Sequence, residues 1–419
     1  MSIRKKISFI KQTLLMTKRV SVPFIQKPKI VLDYLQLYRK KGLTQDEYDN
    51  YEFWKQKENF RKTFLGLNEQ RFYLDYLNPI KYYSLARNKY IAHKMLEKTG
   101  IKKSILYCYY QPEAKYIKSN ENVSDLNGVI RILKEKKVQS CVIKTTESSH
   151  GDNVWVIKAI DYQETDAVLT RFDDNTLLLS SVLGKEPLIF EGVVIQTKQF
   201  ASFNKSSVNT VRFMTTLFPN GSAKVIATFI KIGREGKCVD NAGDGGNVDV
   251  CVDVDTGEIK YAIKYDGWHN ITEIECHPDS GNQLNGIIIN NWQSIKEEVI
   301  KYQQAFPYCK AAGWDIAITD EGPVVIEVND FWDRTGQYFI RRGWRNEIRD
   351  CYIAWRKYWD EENVVVGEII RNRQIGTTSD KQDNADKILI NKAEGKEYRM
   401  YRQPNALKNN HLREIATYE

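Results

Sequence analysis

The chain has 419 residues, of which 42% are apolar and 28% are charged. Disorder over most of the length is excluded, because this many apolar and aromatic side chains can bury several cores. The seven cysteines include no CxxC pair and the five histidines are scattered, which argues against a disulfide framework and a zinc site. The first residues lack a secretory core and no apolar run approaches a membrane span, so we expect a cytoplasmic protein.

The positive charge is concentrated at one end. Residues 1–41 hold eleven Lys and Arg and one acid, Asp33, a balance of +10; because the whole chain carries +8, the remainder carries −2. Two interpretations of residues 1–41 stay open: solvated helix faces, or peripheral contact with an anionic membrane or a lipid-linked sugar at the inner membrane face. The near-neutral body offers no basic face, so we expect no nucleic-acid binding.

Apolar spacing predicts helices in residues 1–75, where Thr44 to Glu47 has the form of a capping box. A further helix over about 86–98 is expected to end at Gly100. Strand patterns begin near residue 140 and continue at 188–196, 208–217, 223–231, 248–252 and 258–264. The remaining predicted elements are a helix at 292–305, a strand pair at 314–319 and 323–328, a helix at 346–360 and a polar linker at 374–386.

The strand pair is the most informative stretch. Two apolar runs flank the turn signal 320–323, so a hairpin is expected, and a turn centred near residue 321 places Asp315 opposite Glu327. Asn329 lies two residues from Glu327 and therefore shares its face. Opposed carboxylates roughly 5 Å apart need a cation or a shared proton. Oxygen ligands without Cys or His suit Mg²⁺ better than zinc.

Two alternatives to this metal site stay open at this stage. The turn register could be wrong by one residue, in which case Asp315 faces solvent. The acids could instead pair with basic side chains downstream, namely Arg334, Arg341 or Arg342.

A second polar feature follows an upstream strand. Lys144 ends the apolar run that begins at Cys141 and leads into a loop of small residues that reaches Gly151. Backbone N–H groups in such loops can surround phosphates, and a neighbouring Lys adds positive charge. The loop alone is weak evidence, since most Ser/Gly hairpin loops bind nothing.

Taken in order, these pieces resemble the ATP-grasp superfamily, and its sugar-transfer-associated branch is the nearest match. The resemblance covers about residues 40–345. It rests on Lys89, Lys144 with the loop to Gly151, the strand Val193–Gln196, Arg212, the stretch Asn241–Gly246, and the triplet Asp315, Glu327 and Asn329.

The resemblance implies an α+β fold in which two α+β subdomains clamp ATP. The implied segments are a helical basic region at 1–75, an N-terminal subdomain with the phosphate loop at 76–190, a C-terminal subdomain with the metal site at 191–345, and a helical tail with a mobile linker at 346–419. The expected ATP ligands are Lys89, Lys144, Ser148, Ser149, Gly151, Gln196, Thr197 and Lys198. Mg²⁺ is assigned to Asp315, Glu327 and Asn329, catalysis to Arg212, Lys231 and Arg234, and the second substrate to Asn241, Gly243, Gly245 and Gly246.

The implied activity is a carboxylate–amine ligase that acts through an acyl phosphate, in the biosynthesis or modification of a cell-surface polysaccharide. An ATP-grasp phosphotransferase and a non-enzymatic scaffold or binding protein are the alternatives. Two features depart from the family pattern. Residues 1–75 are predicted helical where an α/β domain usually precedes the grasp, and Gln196 stands where Glu is common.

Overall fold

The computed structural model describes residues 3–19, 23–114, 121–147, 153–240 and 246–361. The helices are α1 Ile3–Arg19, α2 Lys27–Lys41, α3 Gln45–Asn50, α4 Glu58–Thr63, α5 Leu67–Leu77, α6 Ser84–Arg87, α7 Lys89–Lys98, α8 Leu126–Glu135, α9 Leu179–Val182, α10 Lys198–Phe203, α11 Trp292–Ala305, α12 Thr335–Phe339 and α13 Arg345–Glu361. The strands are β1 Leu106–Tyr110, β2 Asn122–Val123, β3 Cys141–Thr145, β4 Val154–Tyr162, β5 Ala167–Arg171, β6 Thr176–Leu178, β7 Leu188–Glu191, β8 Thr210–Leu217, β9 Ala223–Ile232, β10 Val248–Val252, β11 Ile259–Tyr265, β12 Ile271–Ile274, β13 Ala311–Thr319 and β14 Gly322–Asn329.

The strands form two seven-stranded sheets, which we call the first and the second sheet. The first has the order β2-β1-β7-β3-β4-β5-β6, and the second has the order β12-β11-β10-β9-β8-β13-β14. Neighbouring strands pair antiparallel, except for the parallel pair β1 and β2. The predicted α+β class with helices at both ends is confirmed.

Each sheet packs against a helix with an apolar stripe. In α8, Val129, Ile132 and Leu133 are fully buried against the first sheet, at the three- and four-residue spacing of an amphipathic helix. In α11, Ile295 and Val299 do the same for the second sheet. Each sheet therefore has its own apolar core, and the space between the two sheets is left for a site.

The chain crosses from the first sheet to the second between residues 192 and 197. Gly192 N donates to Ile105 O at 2.8 Å, whereas Thr197 N donates to Ile318 O at 2.8 Å. The predicted strand 188–196 is therefore wrong beyond Glu191, where β7 ends. Its apolar residues continue past that point because the segment lines the space between the sheets, not because it stays in a ladder.

The sequence signals for the beginnings and ends of helices are present in the structure. The capping box is present, with Glu47 N donating to Thr44 Oγ1 and Thr44 N donating to Glu47. Gly100 has φ +73°, the left-handed conformation expected after a helix. The predicted helix 86–98 is divided at Asn88, whose side chain accepts from Ile91 N and caps α7.

The terminal helices pack together on the second sheet. Glu69 of α5 pairs with Arg345 of α13 at 2.8 Å, and both side chains are largely buried. Gln337 joins the same layer, since its Oε1 accepts from Leu65 N at 2.9 Å and its Nε2 donates to Leu65 O at 3.0 Å. The helical N-terminal region and the start of the helical tail are therefore one layer.

No helix among the described residues has the length and apolarity needed to cross a bilayer. The predicted linker 374–386 lies outside the described residues. The four predicted segment boundaries stay predictions.

The close approach of these terminal elements makes a test of packing possible. A Cβ on buried Gly343 would meet Thr63 O at 2.0 Å, whereas a Cβ on exposed Gly184 meets nothing within 4 Å. We expect Gly343→Ala to lower the free energy of unfolding by about 1–3 kcal/mol, because backbone atoms must move. Gly184→Ala is the matched control and should be neutral or slightly stabilising. Thermal unfolding followed by circular dichroism compares them; equal stability of both variants contradicts this packing.

Candidate active site

The hairpin of β13 and β14 forms as predicted, with a bulge between Asp315 and Ile316 that shifts the pairing by one residue relative to the turn. Asp315 pairs with Glu327, and Asn329 pairs with Gly313 one step further along the face. Asp315 is 3% exposed, so the alternative in which this side chain faces solvent is wrong. The three expected metal ligands therefore lie together on the side of the second sheet that faces the first.

Asp315 is held by two cations from neighbouring strands. Arg212, its direct cross-strand partner on β8, donates from Nε to Oδ1 at 2.6 Å and from Nη2 to Oδ2 at 2.9 Å. Lys231 Nζ on β9 lies 3.2 Å from Oδ1. Burial alone would raise the pKa of Asp315, but the charges of Arg212 and Lys231 outweigh it and lower that pKa to about 2. The carboxylate is therefore ionised at neutral pH.

The alternative pairing with the downstream arginines is not seen. These arginines pair elsewhere: Arg334 with Glu47, Arg341 with Glu273 and Arg342 with Glu347. Asp315 thus finds its counter-charges within the second sheet.

Lys231 connects this carboxylate to a second buried acid. Its Nζ lies 4.0 Å from Asp240. Asp240 Oδ2 accepts from Thr210 N at 2.7 Å and from Thr210 Oγ1 at 2.6 Å, and burial raises the pKa of this carboxyl above its usual value. Sequence analysis missed Asp240, which directly precedes the predicted substrate loop but follows no motif. Of that loop, Asn241, Gly243 and Gly245 lie outside the described residues, and Gly246 has φ +82°.

Arg234 lies apart from this cluster. It forms a bidentate pair with Asp279, at 2.8 Å from Nε and 2.6 Å from Nη2, and donates from Nη1 to Gly246 O at 3.1 Å. Its contacts anchor the end of the predicted substrate loop and do not reach Asp315. The catalytic assignment of Arg234 stays a prediction.

The first sheet contributes a second ion pair. Lys144 Nζ lies 2.9 Å from Glu191 Oε2, and both side chains are largely buried. Burial opposes the charge on Lys144, but Glu191 outweighs it and raises the pKa of this lysine. Glu191 was missed by sequence analysis, because it is 47 residues away in the chain and is brought close only by the pairing of β3 with β7.

Lys89 links the two halves of the site. As the first residue of α7, it donates its backbone N–H to Thr146 O at 2.9 Å, and its Nζ lies 4.0 Å from Glu327. Burial lowers the pKa of Lys89, and the nearby positive charge of Lys144 acts in the same direction. Lys89 and Lys144 therefore converge from different elements on the region in front of Glu327.

Of the three expected metal ligands, Glu327 and Asn329 present oxygens that can hold a hard cation, whereas both oxygens of Asp315 already accept from Arg212. Glu327 has a side chain 39% exposed towards the cavity. Both hydrogen bonds of Asn329 are donated by Nδ2, to Gly313 O at 3.3 Å and to Asp315 Oδ2 at 3.5 Å, so its Oδ1 can serve as a ligand. Within the described residues, no three His, Cys, Asp or Glu side chains are grouped so that they alone could hold a metal ion. Two carboxylates and one amide oxygen are donors typical of Mg²⁺ that is also bound to phosphates.

These groups line one cavity of about 770 Å³ between the two sheets. Its volume is in the range of small-molecule and cofactor sites. The charged centre is formed by Lys89, Lys144, Glu191, Arg212, Lys231, Asp240, Asp315, Glu327 and Asn329. An apolar part is lined by Val142, Val154, Val156, Phe172, Val194 and Ile195, and another part by Tyr265, Trp268, Phe331, Trp332, Asp333 and Thr335.

The expected ATP ligands Gln196, Thr197 and Lys198 differ in their positions. Gln196 lines the cavity, but its Nε2 donates to Asn204 O and Ser207 O and its Oε1 accepts from Asn209 N, so the side chain braces the following loop. Thr197 caps α10 and Lys198 is exposed on that helix; neither lines the cavity.

The phosphate-loop residues Ser148, Ser149 and Gly151 lie outside the described residues. Their assignment as ATP ligands stays a prediction, as do the roles assigned to the other site residues.

Solved structures that this chain partly resembles include three enzymes. N5-carboxyaminoimidazole ribonucleotide synthetase from Thermotoga maritima is 14% identical, with 66% of this chain and 52% of that chain covered and a TM-score of 0.37. VanG D-Ala:D-Ser ligase from Enterococcus faecalis is 12% identical, with 64% and 61% covered and a TM-score of 0.36. Biotin carboxylase from Campylobacter jejuni is 8% identical, with 66% and 48% covered and a TM-score of 0.38. The chain thus spans less than two thirds of each of these proteins.

The comparison with curated proteins gives no match. The profile of the sugar-transfer-associated ATP-grasp family, however, matches residues 68–350, which is more than half of the chain and includes every described residue of the charged centre. The chain therefore belongs to the sugar-transfer-associated ATP-grasp family.

Proposed function

We propose that this protein is an ATP-dependent carboxylate–amine ligase. The observation that carries the proposal is the buried network in which Arg212 and Lys231 hold Asp315 beside Glu327. Such a network presents fixed positive charge next to oxygen ligands in one cavity. Phosphoryl transfer depends on this combination of positioning and charge neutralisation more than on covalent help from the protein.

The lining of the cavity supports a specific orientation of ATP. The apolar part near Val142 and Ile195 suits an adenine ring, and the cations Lys89 and Lys144 of the charged centre line the same cavity. A triphosphate that extends from the apolar part would pass these lysines. Asp315, Glu327 and Asn329 would hold Mg²⁺, which when bound neutralises charge on the phosphates.

The proposed reaction has two steps that balance. A carboxylate oxygen of the substrate forms a bond to the γ-phosphorus, the bond from that phosphorus to the bridging oxygen of ADP breaks, and ADP leaves. The nitrogen of an amine then bonds to the acyl carbon, phosphate leaves, and the nitrogen loses a proton. In this proposal Arg212 and Lys231 would stabilise the charge that develops on the phosphoryl group.

The aromatic part of the cavity suits a substrate that carries a ring. Trp268 and Tyr265 lie with their ring centroids 5.2 Å apart, and the carboxylate of Asp333 and the hydroxyl of Thr335 line the same region. Aromatic faces combined with polar groups can bind a saccharide ring. We therefore propose that the carboxylate or the amine belongs to a uronic acid, an amino sugar or an amino acid that decorates a cell-surface polysaccharide precursor.

The first prediction concerns the metal ligands. Glu327→Gln should preserve the fold but lower Mg²⁺-dependent ATP turnover on the order of 100-fold, because the isosteric amide removes the charge that holds the cation. Glu321→Gln makes the same change in the exposed turn of the same hairpin and should leave turnover unchanged. ADP release measured against Mg²⁺ concentration distinguishes them. Equal activity of the two variants would show that Glu327 does not hold the metal.

The second prediction separates a ligase from a phosphotransferase. ADP release should require a carboxylate and rise when an amine is added, and hydroxylamine should convert the acyl phosphate to a hydroxamate, which forms a coloured iron complex. A product that keeps the phosphate, with no hydroxamate from any substrate that is turned over, would favour the phosphotransferase instead.

The third prediction concerns Arg212. Arg212→Ala should lower the rate much more than it weakens ATP binding, but it also leaves the buried Asp315 with one cation fewer. Arg212→Lys keeps the charge and loses the bidentate geometry, so it should lower kcat roughly 10²-fold with little change in KM for ATP. Steady-state kinetics on protein shown to be folded by circular dichroism provide the test, and an unchanged kcat in Arg212→Lys would exclude a catalytic role for the guanidinium fork.

A further inference from the structure

We propose that the N-terminal helices form a docking surface for an anionic lipid bilayer. The surface, which we call the basic–apolar face, lies on α1, on the turn after it and on α2. Its exposed apolar side chains are Ile7, Ile10, Leu14, Phe24, Ile25 and Leu32, and its described basic side chains include Lys11, Lys27 and Lys29. The proposed activity does not require this surface, so the two proposals can fail independently.

The two sides of α1 differ sharply. Thr13 and Met16 are buried against the rest of the helical region, at 6% and 2% exposure. Ile7, Ile10 and Leu14 follow each other at three- and four-residue spacing and are 57–59% exposed. This spacing places them on one stripe of the helix. An apolar stripe that is exposed to solvent is typical of a helix that binds another surface.

The turn directly before α2 carries two further exposed apolar side chains. Phe24 and Ile25 directly follow Pro23. Each is 86% exposed, the largest value among the large apolar side chains of the described residues. Large adjacent side chains on a projecting turn can enter the boundary between headgroups and acyl chains without any change in the fold. Leu32 on α2 is likewise exposed, at 63%.

The charge around the face selects an anionic partner. Residues 1–41 carry +10, and their single acid, the half-buried Asp33, accepts from Tyr48 at 2.7 Å and pairs with Arg61. No carboxylate of residues 1–41 is therefore left to repel an anionic surface. Basic residues beside exposed apolar ones are the combination that binds bilayers rich in anionic lipid.

Other occupants fit less well. Residues 362–419 contain ten basic and nine acidic residues, so they offer no negative complement to the face. If a second copy of the chain docked on the same face, two regions that each carry a charge of +10 would meet and repel each other. A nucleic acid would complement the charge but would leave the apolar side chains of the face without a partner.

The test is flotation of the full-length chain with vesicles. Phosphatidylcholine vesicles with and without phosphatidylglycerol are compared at low and high salt. We expect binding only to the anionic vesicles, with a steep loss on adding salt. Phe24→Ser/Ile25→Ser should weaken that binding roughly tenfold, since it removes the inserted apolar area. Ile288→Ser, a similar change at a 59% exposed position on the body of the protein, is the control and should bind like the unmodified chain.

Both substitutions replace exposed side chains outside the cavity, so ATP turnover measured in solution should be unchanged by either. No binding of the unmodified chain to anionic vesicles overturns the proposal, and so does equal binding of the double variant. If light scattering instead reveals an oligomer that only the double variant loses, the face belongs to an interface between copies and the lipid proposal is wrong.

Discussion

Arg212 and Asp315 face each other across β8 and β13, and the chemistry of the cavity depends on that pair. A buried ion pair contributes little net stability, because the desolvation of both charges offsets their attraction, but loss of one partner leaves a buried charge uncompensated. The strands must therefore keep the register that joins the two side chains. Since Glu327 is fixed to Asp315 by the same ladder, one register positions a cation, a buried carboxylate and an open carboxylate together.

The remaining charges of the cavity are paired in a similar way. Lys144 is matched by Glu191 from within the first sheet, and Lys89 lies nearest to Glu327 from the second. The cations are thus held in place by protein carboxylates before any anionic ligand is present. A site whose charges are already oriented spends little free energy on reorganisation when a phosphate binds, which is the main advantage of preorganised electrostatics.

The terminal helices also contribute to the walls of this cavity. Arg334, which follows β14, pairs with Glu47 of α3 at 2.7 Å. Thr335, which lines the aromatic part of the cavity, lies with its hydroxyl 3.3 Å from that of Tyr51. The helical N-terminal region therefore supports the side of the cavity where we place the second substrate, in a chain whose sequence predicts no α/β domain before the grasp.

Sequence alone determined the features whose partners are close in the chain: the capping box at Thr44, and the hairpin that sets Asp315 against Glu327. The turn residues predict the hairpin, and a bulge between Asp315 and Ile316 then brings Asp315 opposite Glu327. The partner of Lys144, the second carboxylate beside Lys231, and the point at which the chain leaves the first sheet after Glu191 were decided only by the tertiary structure. These features depend on the order in which distant strands pair, and apolar alternation within one strand carries no information about which strand lies beside it.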